Sequence, residues 1–103
     1  MADISIYDVI NDIVVTVPGV ISFANSKAKS EEEILTKDIT RAIELSSSLE
    51  FERVKIHVVL INGISIRDVL SEIQTRVKYE LEKASKFMRN YIVDVVVDDI
   101  HIA

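Results

Sequence analysis

The sequence predicts an α+β fold: a two-layer α/β domain of element order α-(α)-β-β-α-β, with a three-stranded mixed sheet carrying its helices on one face. Three observations predict it. An apolar stripe at helical spacing opens the chain, a longer one occupies residues 66 to 88, and alternating β-branched runs stand on either side of the second stripe. At 103 residues the chain is expected to be one domain, 1–103. A domain of this size buries roughly two-thirds of its unfolded surface. That is enough for one core and leaves little room for a deep separate cleft.

The first helix spans residues 4 to 17. Ile6, Val9, Ile10, Ile13, Val14 and Val17 recur at i, i+3, i+4, i+7, i+8 and i+11, which is one face of a helix. Ser5 and Asp8 offer a start signal. Pro18-Gly19 stops it, because proline lacks an amide hydrogen and glycine permits reversal. Val20 to Ala24 is short and apolar, a small strand or a packed loop. Ser30 followed by Glu31, Glu32 and Glu33 opens a short helix over 31 to 38, with acids at the positive end of the dipole.

Residues 41 to 47 form a first strand and residues 52 to 62 a second. In the second, Val54, Ile56, Val58 and Leu60 face one way and Arg53, Lys55 and His57 the other. The two read as an antiparallel hairpin closed by Ser46 to Glu50. Val59 and Ile61 make the far end of the second strand apolar on both faces. The long helix, 66 to 88, carries Ile66, Val69, Leu70, Ile73, Val77, Leu81, Ala84 and Met88 on its apolar side. Its polar side offers Glu72–Arg76 and Glu82–Lys86 as acid-first pairs one turn apart. The last strand, YIVDVVVDDIHI, sets Val93, Val95 and Val97 against Asp94, Val96 and Asp98. A helix separates it from the second strand, so the two can run parallel through a right-handed crossover.

Composition excludes several chemistries. There are 12 Lys and Arg against 17 Asp and Glu, a net charge of −5, with the basic residues interleaved among acids. Without a basic face to neutralise phosphates, nucleic acid is not an expected partner. No cysteine is present, which removes disulfides, thiolate catalysis, thiolate zinc sites and iron–sulfur ligation by this chain's own sulfurs. MADISIYDVINDIVV lacks the basic start and unbroken apolar run of a signal peptide, and no apolar run approaches the roughly 20 residues that span a bilayer. A cytoplasmic location without direct membrane insertion is expected.

The strand–glycine–helix stretch RVKIHVVLINGISIRDVL resembles the opening of a phosphate-binding loop, but such a loop needs several glycines or a GxxxxGK[ST] run. Here Gly63 stands alone with no lysine after it. It is expected to take positive φ, with Ser65 and Asp68 capping the long helix. His57 and His101 are the only histidines. A zinc site needs three or four protein ligands, and no spacing joins these two to Asp98 or Asp99, so exposed or rim histidines are expected. Asp94 and Asp98 read as solvated sheet residues that discourage edge pairing. Ser46, Ser47 and Ser48 read as turn residues. No catalytic residue, metal ligand or cofactor is assigned. The residues offered as an interaction surface are Val59, Ile61 and Val96, which give the sheet apolar character on its second face.

In order and wording the chain resembles the alkaline shock protein (twenty-three) family, the envelope stress response proteins of Gram-positive bacteria and mollicutes. The residues carrying the resemblance are Val17-Pro18-Gly19-Val20 after a short amphipathic helix, Gly63 after a long strand, and Ile66-Arg67-Asp68-Val69 at a helix start. Val93, Val95, Val97 and Ile100 in the final strand complete the set. Arg67 stands where the family usually has proline, Asp99 where a glycine is common, and residues 21 to 40 match poorly. The resemblance implies a non-enzymatic cytoplasmic protein that self-associates as a homo-oligomer and binds protein partners, some of them membrane-anchored. No site residues come with it. The element order is also similar to the iron–sulfur assembly domain, a metabolic carrier or assembly factor that uses the cysteine this chain lacks. Some relatives of the alkaline shock family are linked to fatty-acid synthesis. An RNA-binding domain of the KH type would need a GxxG loop, and Gly19 and Gly63 are the only glycines.

Overall fold

The computed structural model describes residues 5–28, 34–36 and 38–102. Among these residues the fold is α+β, with two helices over a five-stranded sheet. In chain order the elements are α1 (Ile6–Val14), β1 (Val20–Ala24), β2 (Leu35–Thr36), a short 3-10 turn (Ile39–Arg41), β3 (Ile43–Ser47), β4 (Glu52–Ile61), α2 (Ile66–Ala84) and β5 (Tyr91–His101).

Strand β4 is the centre. Its alternation buries Val54, Ile56, Val58 and Leu60 at 1% exposure or less against the helices. Along one edge it pairs in parallel with all of β5, from Glu52 opposite Tyr91 to Ile61 opposite His101. The other edge is shared. Strand β3 covers Glu52 to Ile56, and β1 covers Val58 to Leu60, both antiparallel. Strand β2 pairs with β1 in turn.

The expected three strands are therefore five. Strand β3 is half the length of β4, so a hairpin alone would leave the far half of a buried strand with unpaired amides, which is costly. The apolar run Val20–Ala24 fills that place: the Ile61 N–H donates to the Gly19 carbonyl at 2.9 Å, and Val20 and Phe23 lie opposite Leu60 and Val58. The helix expected over 31 to 38 falls in part outside the described residues. Its described part is the strand Leu35–Thr36, followed by the 3-10 turn, where Asp38 accepts from the Thr40 amide at 3.1 Å.

Both helices carry the expected serine caps, with Ser5 Oγ accepting from the Asp8 amide and Ser65 Oγ from the Asp68 amide at 3.3–3.4 Å, and the first begins at Ile6 rather than at residue 4. Both end early. Proline disfavours helical geometry in the residue before it, so α1 closes at Val14 and tightens through i→i+3 bonds at Thr16 and Val17. Val17 still reaches the core at 3% exposure. In α2, Val69, Ile73, Val77 and Leu81 are buried one turn apart. The helix closes at Ala84, and Lys86 and Phe87 turn the chain with φ of +56° and +59°. This places Met88 outside at 86% exposure, off the apolar face assigned to it. It also removes the expected Glu82–Lys86 pair: Glu82 instead bonds Lys78, one turn back.

Strand β5 carries a bulge. Val58 is opposite Val97, but Val59 is opposite Asp99, so one extra residue is inserted at Asp98. Uninterrupted alternation would continue the core side from Val93, Val95 and Val97 to Asp99. The bulge instead sets Ile100 opposite Leu60 and turns the acidic pair to the face away from the helices.

Gly19 and Gly63 both have positive φ, +97° and +89°. A Cβ on Gly19 would lie 2.5 Å from Ile64 Cδ1 and 3.3 Å from Val69 Cγ2, whereas one on Gly63 would meet nothing within 4 Å. Gly63→Ala is expected to cost about 1–2 kcal/mol from backbone conformation alone. Gly19→Ala should cost more, through added displacement of Ile64. Urea denaturation of the two variants checks the ranking, and equal losses would contradict it.

Candidate functional site

Two features distinguish the sheet: a carboxylate–imidazole–carboxylate row across its second face, and the outer edge of β5.

The row is built by register. Glu44 on β3 is opposite Lys55, one position before Ile56, and Asp98 is the bulge residue of β5. His57 lies between them on β4. Its Nε2 is 2.7 Å from Glu44 Oε2, and its Nδ1 is 3.0 Å from both Asp98 oxygens. The imidazole is buried, the Asp98 side chain is 23% exposed, and the Glu44 side chain is 53% exposed. A carboxylate can only accept. The row is thus satisfied by an imidazole protonated at both nitrogens, or by one carboxyl proton in its place. The hydrogen bond from His57 is the main reason the Glu44 carboxyl is held below its ordinary range.

This corrects two expectations. His57 is a buried histidine hydrogen-bonded at both nitrogens rather than a rim residue. Asp98 is its partner rather than a solvated acid. Asp94 is a solvated sheet residue as expected, with its side chain 43% exposed and 3.7 Å from Arg53. His101 remains exposed, opposite Ile61 and four residues along β4 from His57, about 13 Å at strand rise. The two histidines therefore do not converge. Among the described residues no group of three His, Cys, Asp or Glu is placed to hold a metal ion: the two carboxylates take opposite nitrogens of one ring, which leaves no shared lone-pair focus. The turn serines bond locally, Ser48 Oγ to the Phe51 carbonyl at 3.1 Å and Ser47 Oγ to Glu52 at 2.6 Å.

The residues offered as an interaction surface are placed differently from one another. Val59 is 1% exposed and presents no surface, a correction that follows from its position mid-sheet, with β1 on one side and β5 on the other. Ile61 and Val96 are half-buried.

The outer edge of β5 has a pattern of its own. The Asn90 carbonyl accepts from the Glu52 amide, so the alternation turns the amide groups of 90, 92, 94 and 96 towards β4 and those of Tyr91, Val93, Val95 and Val97 outward. Helix α2 seals the start of this outward row. Glu82 Oε2 accepts the Tyr91 N–H at 3.0 Å, Lys78 Nζ donates to the Tyr91 carbonyl at 3.0 Å, and Gln74 Nε2 donates to the Val93 carbonyl at 3.3 Å. At the far end the Ile100 N–H is taken by Asp99 Oδ1 at 2.9 Å.

One helical turn of four residues advances about 6 Å, close to the ~6.6 Å of two strand residues. The row Glu82, Lys78, Gln74 therefore continues as Leu70 and Ile66 abreast of Val95 and Val97. Neither side chain can donate or accept. Among the described residues no side chain reaches the Val93 N–H or the outward groups of Val95 and Val97, so a short open window remains between two sealed ends.

The sealing row is not among the sequence expectations, which place Ile66 and Leu70 on the apolar side of the helix and Glu82 in a pair with Lys86. Its signal is the polar–polar–polar–apolar–apolar series Glu82, Lys78, Gln74, Leu70, Ile66 at four-residue spacing on α2. No helix among the described residues is long and apolar enough to cross a membrane. Compared with known families, curated proteins and solved structures, the chain matches none.

Three outcomes test the row. His57→Ala should destabilise the fold by about 1–3 kcal/mol, the cost of stripping partners from a buried polar network. Glu44→Gln should cost under about 1 kcal/mol, because half of that side chain is in water. The Glu44 carboxyl lies below its ordinary value of 4.5 in the folded state. Its contribution is therefore complete above that value and lost as pH falls through the lower folded one. Chemical denaturation from pH 7 to pH 3 should show a shallower acid decline for Glu44→Gln than for the parent chain. An identical decline would remove Glu44 from the acid response.

Proposed function

We propose that the protein is a non-enzymatic interaction protein whose contact element is the open window of β5. The observation that carries this reading is the interrupted seal on that edge: three polar side chains of α2 satisfy one end, Asp99 satisfies the other, and Val93 to Val97 between them keep outward backbone groups available. Edge strands are commonly blocked by charge, bulge or cover. A strand blocked at both ends and open in the middle has the form of a receptor for a short extended segment, in which main-chain hydrogen bonds supply affinity and neighbouring side chains supply selection.

The reading agrees with what the motif resemblance implies. On that basis the protein is a member of the alkaline shock protein (twenty-three) group that works in the cytoplasm, near the membrane through an anchored protein partner, and self-associates. The element order and the parallel β4–β5 pair support the mixed sheet expected from the sequence pattern, to which β1 and β2 are added.

Val95→Pro tests the proposal because the one backbone group it removes is an outward N–H, while a proline ring replaces the Val95 side chain at the border of the core. The groups that Asp94 and Val96 turn towards β4 stay in place. Affinity capture from the native cell, with chemical cross-links mapped on β5, should lose its partners at least tenfold in this variant while circular dichroism stays that of the parent. Partner capture unchanged by Val95→Pro would overturn the assignment of the edge.

A further inference from the structure

We infer that the open window of β5 pairs with the same window of a second copy, antiparallel, with Val95 opposite Val95 across a two-fold axis. This rests on the edge reading above and adds the occupant and its register.

The window is self-complementary. Its outward residues are Val93, Val95 and Val97, spaced symmetrically about Val95. In an antiparallel pair centred there, Val93 of one copy faces Val97 of the other and Val95 faces its own equivalent. Each of these pairs can exchange both N–H···O bonds, and the Val93 carbonyl, which already accepts from Gln74, has a second lone pair to offer. On the side towards the helices the contact is valine on valine, a favourable cross-strand pairing. Leu70 and Ile66 of each copy border it.

Charge selects the register. On the second face the series is Ile92, Asp94, Val96, Asp98. Centred on Val95, Asp94 lies opposite Val96 of the other copy and Asp98 opposite Ile92, so no carboxylate faces a carboxylate. A slip of two residues in one direction sets Asp94 opposite Asp94, and in the other direction sets Asp94 opposite Asp98. Like charges directly opposite are destabilising, and a chain of net charge −5 has no surplus of cations to offset them. Of the registers that keep outward residues paired with outward residues, the one centred on Val95 both fills the window and separates the acids.

The remaining edges are poorer sites. Strand β3 has five residues, with Glu44 near its start engaged by His57, and β2 has two. A contact of one strand per copy is small, so the dimer should be concentration-dependent rather than permanent.

The test is sedimentation equilibrium on the full chain from micromolar to about 1 mM, joined to disulfide trapping, which is unambiguous because the chain has no cysteine of its own. The parent should move from monomer to dimer across the series. Val95→Pro should shift the midpoint at least tenfold upward. Leu70→Gln, which extends the sealing row by one step and leaves β5 untouched, should do the same and covers the case in which the proline variant does not fold. On oxidation, a mixture of Asp94→Cys and Val96→Cys chains should cross-link at least tenfold faster than either chain alone.

A parent that stays monomeric at 1 mM would overturn the inference. So would a dimer indifferent to both edge variants, or Asp94→Cys alone cross-linking as fast as the mixture. A monomeric parent whose cellular partners are still lost in Val95→Pro would sink the self-pairing and leave the edge reading standing. Partners retained by Val95→Pro would sink the edge reading itself.

Discussion

Everything in this molecule is attached to the backbone of β4. Its ten residues turn their amide and carbonyl groups alternately to two edges. Their side chains are buried on the helix face along most of the length, and on the opposite face at His57 and Val59. A buried amide without a partner costs free energy comparable to a lost hydrogen bond, so the far half of β4 dictates the need for β1. Strand β5 is tied down by the same rule on the opposite edge. The helices then follow from side chains: Ile10, Ile13 and Val14 of α1 and Val69, Ile73, Val77 and Leu81 of α2 form one cluster with Val54, Ile56, Val58 and Leu60 of β4.

The parts of the fold that the sequence makes legible are those in which one face repeats locally. The i, i+4 stripes of α1 and α2 and the alternation along β4 and β5 each lie within a single segment, and each identifies an element. What is not legible depends on partners far along the chain. Val20–Ala24 has no alternation, and only the mismatch between a five-residue β3 and a ten-residue β4 makes it a strand. The helix ends shift because a proline acts on its neighbour at one terminus and two left-handed residues, Lys86 and Phe87, reverse the chain at the other. The His57 row joins β3, β4 and β5 and depends on a bulge, which no local pattern announces. Its one trace in the sequence is the acidic pair Asp98-Asp99, which breaks the alternation directly after Val95-Val96-Val97.

The second face and the edge share a cause. Asp94 faces Arg53 and Asp98 faces His57, which fixes where these acids lie beside the edge. An exposed pair such as Arg53–Asp94 is weak, so the carboxylates still discriminate between strand registers while the backbone groups supply the pairing. Helix α2 contributes the complementary half: its polar row ends at Gln74, and the extent of the accessible edge is set by where that row ends.

The imidazole between two strands' carboxylates has a consequence for how the chain finds its shape. Strands β4 and β5 are separated by a 19-residue helix, and parallel alignment of distant segments is entropically slow. Hydrophobic side chains discriminate weakly between alignments offset by two, since valine meets valine in each. A ring with two protonatable nitrogens does not tolerate such an offset. Moved by two residues, β5 would bring Val96 to the Nδ1 side and strand a polar atom against a methyl group. His57 therefore distinguishes one register of the central pair from its neighbours, where valine contacts alone would specify it weakly.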